Sequence, residues 1–286
     1  MMKGKQAGMI KKTLLIILAI IVLIIAFFAY SIFASATTSA VLYIEKGSVE
    51  VDSGNGWKAA QDEMSLSLND KVRTLTESSA SIALYEGEII RLEENTEISI
   101  EKLTKESVTI NQNSGSTWNK ITKISGIEDY SVKTPTTVAT VRGTGFGIKI
   151  ANNVNLLVGS GKVGFKKDNE EIEVNANEKG IANETLQKLG LSQEDIDWIN
   201  AQTGKDIEIL KKLRLREIER HKLFVTALKT AAGITDKDIT KGLDDIDNGE
   251  LNEDELIEKS PIVPPSIEKI KRLNQQIRLL KGTASA

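Results

Sequence analysis

The sequence predicts a mainly β domain followed by an α-helical C-terminal region, both carried behind one N-terminal transmembrane helix. Three observations lead there: an uncharged apolar run near the start, a long middle stretch of short alternating or β-branched runs, and helix caps with helical spacing of apolar residues toward the end.

The apolar run comes first. From Leu14 to Ala34 no charged residue interrupts LLIILAIIVLIIAFFAYSIFA. A helix rising about 1.5 Å per residue over this length crosses roughly 30 Å of hydrocarbon while satisfying its own backbone hydrogen bonds. Lys3, Lys5, Lys11 and Lys12 precede the run, and residues 34–44 carry no positive charge. That asymmetry predicts a cytoplasmic basic segment over 1–12, a span over 13–35 embedded in membrane lipid, and an extracytoplasmic remainder. Ala34-Ser35-Ala36 has the small-x-small form of a peptidase site, but signal peptides have cores of about 7 to 15 apolar residues. This run is longer, so the expectation is an uncleaved single-pass anchor in the cell membrane.

Composition then narrows the chemistry. The net charge of -3 gives no global field to recruit a polyanion, and no nucleic-acid partner is expected. There is no cysteine, so disulfides, thiol nucleophiles and thiolate metal sites are absent together. His221 is the single histidine, and a Ser-His-Asp triad or a histidine-rich zinc site would have to be built around it.

The β region is expected over residues 41–182. VLYIE, SVEVD, SIALY, IIRLE, TEISIE, SVTIN, YSVKT, FGIKI, VNLLV and EIEVN read as strands. Turn-forming residues punctuate them, among them Asp52 to Gly56, Asn113-Ser114-Gly115, Asn152-Asn153 and Asp168-Asn169. A sandwich, a barrel and a coiled solenoid all fit such spacing. Trp57 and Trp118 are expected to fill core rather than to stack on sugars.

One stretch in this region reads Thr134-Pro135-Thr136-Thr137-Val138-Ala139-Thr140-Val141-Arg142-Gly143-Thr144-Gly145-Phe146. It resembles the TP-x-A-x-x-x-VRGT-x-F signature of the FecR domain, an extracytoplasmic module. Glu45 to Val49, Asn69 to Thr74, Ser79 to Gly87 and Gly115 to Lys120 resemble further family segments in the same order. The resemblance implies a β-solenoid-like or β-helix-like domain with a binding or signalling role and no catalytic residues. On physical grounds Pro135 suits a strand boundary, Gly143 and Gly145 admit backbone angles closed to other residues, and Arg142 supplies donors to carbonyls at the corner. The alternative for Arg142 is a grip on a ligand carboxylate or phosphate. Thr134, Pro135, Arg142, Gly143, Thr144 and Phe146 are therefore the candidate binding residues.

Helices follow over 183–260. Ser192 with Asp195 forms a capping box, Gly204 is expected to stop the first helix, and a longer one is expected from Asp206 to Ala232. Its basic run of Lys211, Lys212, Arg214, Arg216, Arg220 and Lys222 interleaves with glutamates and reads as a solvated face. Thr235 with Asp238 caps another helix, and Asn252 starts one more. Residues 261–265 form a proline-rich break, and 266–286 an amphipathic helix with Ile267, Ile270, Leu273, Ile277 and Leu280 on one stripe. Asp244, Asn248 and Glu255 fall at positions one, five and twelve of a calcium-loop pattern, but Ile246 stands where position three needs an oxygen. An Asn-Gly helix stop accounts better for that segment, so no metal and no cofactor are expected.

Taken together, these features point to a non-enzymatic, membrane-anchored, FecR-like envelope protein that binds an envelope protein or polymer through its β domain. The alternatives are a structural spacer or a carbohydrate-active enzyme using paired carboxylates.

Overall fold

Alternation of buried and exposed side chains along the strands produces two facing β layers in the computed structural model, which describes residues 40–85, 87–121, 127–141, 143–222, 225–226, 229–230, 233, 235–258 and 267–284. The expected segments 1–12 and 13–35 and the break 261–265 lie outside these residues. Among the described residues no helix is long and apolar enough to cross a membrane.

One layer has the order β1 (Ala40–Lys46), β5 (Ser79–Leu84), β6 (Glu88–Leu92), the second half of β8 (Ser107–Lys120), β11 (Gly145–Ile150), β12 (Val154–Ser160), β15 (Glu178–Ala182) and β16 (Leu186–Gly190). The other runs β3 (Lys58–Ala59), β2 (Val49–Asp52), β4 (Lys71–Thr74), β7 (Glu97–Leu103), the first half of β8, β9 (Asp129–Lys133), β10 (Val138–Val141), β13 (Lys162–Lys167) and β14 (Glu170–Asn175). Every pairing is antiparallel except β8 with β9. The sheet does not close, and the described strands do not form the parallel coils of a β-solenoid. Of the three architectures compatible with the strand spacing, the sandwich is the one observed.

β8 ties the layers together. Asn113-Ser114-Gly115, expected to end a strand, instead bends this one: Ser114 still pairs with Glu97 in one layer, and Gly115 already pairs with Ile150 in the other. Gly115 has φ +79°, and a Cβ there would stand 2.3 Å from the Thr96 hydroxyl. Only glycine turns the strand in that space.

Leu42, Ile82, Ile90 and Leu156 from one layer share a single buried cluster with Val51, Ile98, Val132 and Phe165 from the other. Phe146 on β11 meets Tyr130 on β9 edge to face at 6.2 Å. All of β6 is buried. Ile90 and Leu92 face the sandwich core, whereas Ile89 and Arg91 face the helices, which explains a run without polar alternation.

The helices are α1 (Gln193–Arg220), α2 (Asp236–Asp247), α3 (Glu253–Glu258) and α4 (Ile267–Ala284). Capping boxes at Ser192 and Thr235 form as expected. Gly204 does not stop α1. Its neighbours Gln202 and Asp206 are both bound by Arg91, and these tertiary bonds hold the helix through a residue that costs about 1 kcal/mol of helix propensity. The β region also reaches further than 182, because β16 follows the turn at 183–185.

α1 lies close on the outer face of the first layer. A Cβ on Gly147 would sit 2.5 Å from the Trp198 ring, and one on Gly159 2.7 Å from Ile199. Gly145 has no positive φ; it is needed for space beside Ser160 and Trp118 rather than for its backbone angle. The α4 stripe packs within the chain, with Leu273, Ile277 and Leu280 against Ile209, Leu210 and Ile89.

Candidate functional site

The motif residues separate in space. Thr134 closes the turn between β9 and β10, its hydroxyl receiving the Thr137 amide at 2.9 Å, and Pro135 stands exposed on that turn. Gly143, with φ +69°, lies beyond the far end of β10. Four strand residues, about 13 Å of extended chain, intervene. Thr144 and Phe146 are buried at 1 % and 0 % exposure. The Thr144 hydroxyl has no hydrogen-bond partner among the described residues. Arg142 lies outside the described residues. Of the expected binding residues among those described, Thr144 and Phe146 pack inside, Thr134 and Gly143 are half-buried, and Pro135 stands on an open surface.

That surface is a groove of 810 Å³ at one end of the sandwich, where three turns converge. The β9–β10 turn contributes Pro135 and Thr136 from one layer; residues 150–154 and 182–185, with Gln187, come from the other. Its floor is aliphatic: Val154 and Ala182 are buried and Ile150 partly so. Its rim carries the side-chain amides of Asn152, Asn153, Asn183 and Gln187 and the hydroxyls of Thr136 and Thr185. Among its lining residues only Glu184 is charged, and none is aromatic. The 183–185 turn is fastened by Lys167, whose ammonium donates to the Asn183 and Glu184 carbonyls at 2.6 and 2.8 Å, and by the Thr185 amide donating to Asn183 Oδ1 at 3.2 Å. The Glu184 carboxylate is exposed and joins none of the ion pairs among the described residues. Such a site can hold neutral polar groups over an apolar anchor, as loops at a sandwich end commonly do.

A second polar concentration is closed to solvent. Arg91, fully buried, donates to Glu45 Oε1 and Asp206 Oδ1, both at 3.0 Å, and to the Gln202 side chain at 3.1 Å. Trp118 donates to Asp206 Oδ2 at 2.8 Å. Burial pushes the Asp206 carboxyl above the usual range, with Arg91, Trp118 and Lys120 drawing it back. Burial likewise lowers the Lys120 ammonium, and Asp206 opposes that shift. This cluster joins sheet to helix.

The basic run on α1 is a solvated face only in part: Lys212, Arg220 and Lys222 are exposed, but Arg214 and Arg216 turn to other elements. Arg214 is buried and forked onto Asp247, with Asn274 at 2.8 Å; Arg216 reaches Tyr43 and Glu63. Lys212 approaches Asp62 at 3.9 Å. His221 caps the end of α1, 4.0 Å from Glu217. The calcium-loop residues are placed differently from a calcium loop: Asp244 is helical and pairs with Lys211 at 3.3 Å, and Asn248 accepts from Lys281 at 2.8 Å. Among the described residues no cluster of three or more acidic or histidine side chains could hold a metal. Trp118 is core, whereas Trp57 is half-buried under the Arg73 guanidinium at 4.2 Å.

Gln187 and Glu184 are not among the binding residues expected from the sequence. The Asn152-Asn153 turn was legible between FGIKI and VNLLV, but the convergence of turns from separate layers has no local signal.

An open two-layer β sandwich with a helical layer on one outer face defines the class of this protein. Residues 70–164 match the family model described as FecR protein. No curated protein matches the chain. Among solved structures, two crystal structures of a candidate anti-sigma factor from Parabacteroides distasonis ATCC 8503 are similar at 17 % identity. One match covers 44 % of this chain and 62 % of that one with a TM-score of 0.40; the other covers 46 % and 64 % with a TM-score of 0.41. The match spans less than two thirds of either solved chain.

Proposed function

We propose that this chain is a non-enzymatic, membrane-anchored FecR-domain protein that binds a partner at the sandwich-end groove and serves signalling or regulation. The observation that carries the reading is the convergence of three turns, one bearing the motif's Pro135, on an open groove with an aliphatic floor and an amide rim. A groove with a single carboxylate lacks the acid pair that glycoside hydrolysis requires. The uncharged run from Leu14 to Ala34 and the lysines before it support a single span with the FecR domain outside.

The test uses the full chain in its membrane. Protease added outside intact cells is expected to remove the FecR domain, and its survival there with loss only after permeabilisation would overturn the placement. Detergent-solubilised protein is expected to retain an envelope component that Ala151→Trp, which fills the groove mouth, releases. Equal retention by both forms, or none by either, would count against the groove.

A further inference from the structure

Resting on the reading of the groove as a binding site, we infer that its ligand is a short extended polypeptide segment carrying one aliphatic side chain and one basic group. Ile150, Val154 and Ala182 make an aliphatic floor that suits an aliphatic side chain and offers no ring on which a sugar face could stack. An extended backbone presents an amide donor and a carbonyl acceptor at every residue. Side-chain amides carry both functions on one group, and Asn152, Asn153 and Gln187 place them around that floor.

Charge settles the remaining choice. The lining holds no lysine or arginine, so phosphate- or carboxylate-bearing polymers find no counter-charge. Lys167, beside the groove, has its ammonium committed to two carbonyls of the 183–185 turn. The Glu184 carboxylate is the one charge offered, exposed and outside the ion pairs among the described residues, and it complements a lysine, an arginine or an amino terminus. A polyanion meets this surface with unmatched charge.

The experiment titrates the full chain in nanodiscs with hexapeptides bearing one central valine and, two positions on, lysine, glutamine or glutamate, alongside chitohexaose of equal length. The lysine peptide is expected to bind tightest. Glu184→Gln should weaken it about threefold and Glu184→Lys about tenfold while improving the glutamate peptide, since one exposed ion pair contributes modestly. Ala151→Trp should abolish binding of every peptide. Ala151 and Glu184 are exposed turn residues, so these variants are expected to fold, and unchanged circular dichroism checks it. A glycan that binds and is blocked by Ala151→Trp leaves the groove as a site and overturns the peptide. Equal binding of the three peptides, or binding indifferent to Glu184, overturns the charge assignment. Absence of any binding by peptide or glycan, with an envelope component still displaced by Ala151→Trp, overturns this inference and leaves the proposed function standing.

Discussion

The sandwich and the layer of helices bury very different things. Among the described residues, thirty buried apolar side chains form one continuous cluster between the β layers, whereas the cluster joining α1 and α4 to β6 has six. What the helical layer lacks in apolar area it replaces with buried charge: Arg91 with Asp206 beneath α1, and Arg214 with Asp247 among the helices. Apolar burial is spread over many contacts and tolerates small losses. A buried ion pair is concentrated, because removing one partner strands the other in a medium that cannot solvate it. The sandwich should therefore fail gradually and the helical attachment abruptly.

Asp206→Ala is the strongest way to break that contrast. It leaves Arg91 buried with one acidic partner fewer and Trp118 Nε1 without its acceptor. The expected cost is about 3–5 kcal/mol at the sheet-to-helix junction. Urea unfolding followed by tryptophan fluorescence should then report early release of Trp198, which packs edge to face on Trp118 at 5.8 Å, while far-ultraviolet circular dichroism of the strands persists. A single shared transition at unchanged midpoint would show that the junction is not the weak point. The paired replacement Arg91→Met with Asp206→Leu should recover most of the loss, since apolar pairs of similar volume substitute for buried ions at little net cost.

Ile98→Val sharpens the same comparison from the other side. Ile98 on β7 is fully buried within the large cluster. Deleting one methylene there should cost about 0.5–1.5 kcal/mol and lower both transitions together, without early release of Trp198. Loss confined to the helical signal would mean that the core does not support the helices in the way its continuity suggests.

Much of this architecture was legible in the sequence, and the remainder was hidden for identifiable reasons. Each quoted run from VLYIE to EIEVN coincides with a strand to within a residue, because β-branched and apolar runs bounded by turn residues leave a local mark. β16 went unseen because LQKLG on an exposed edge shows no alternation. The glycine at 204 read as a stop, since the bonds from Arg91 that carry α1 through it join residues more than a hundred positions apart. Interleaved glutamates made Arg214 and Arg216 look like surface residues, yet their partners, Asp247 and Tyr43, lie on other elements. In the groove, the Pro135 turn was marked by its motif, but Gln187 and Glu184 join it only through the folding of two layers toward one end.

The smallest expected effect concerns the N-terminus of α1, where the helix leaves the sandwich. Burial alone would raise the Asp195 carboxyl, but the Ser192 hydroxyl and amide, with the Lys179 ammonium at 3.2 Å, outweigh burial and hold it below the ordinary value. A carboxyl depressed in the folded state contributes stability above its unfolded value, and that contribution disappears as pH falls through the folded value. Asp195→Asn should therefore lower stability by up to about 1 kcal/mol near neutral pH, the scale of a helix cap. The gap between the two proteins should narrow below about pH 4, the ordinary aspartate range, and close at lower pH. Thermal melts of both forms from pH 7 to pH 3 measure it. A gap that stays constant across this range would mean that the cost of the substitution does not come from the carboxylate's charge, and that charge counts for less at the rim of this helix than beneath it.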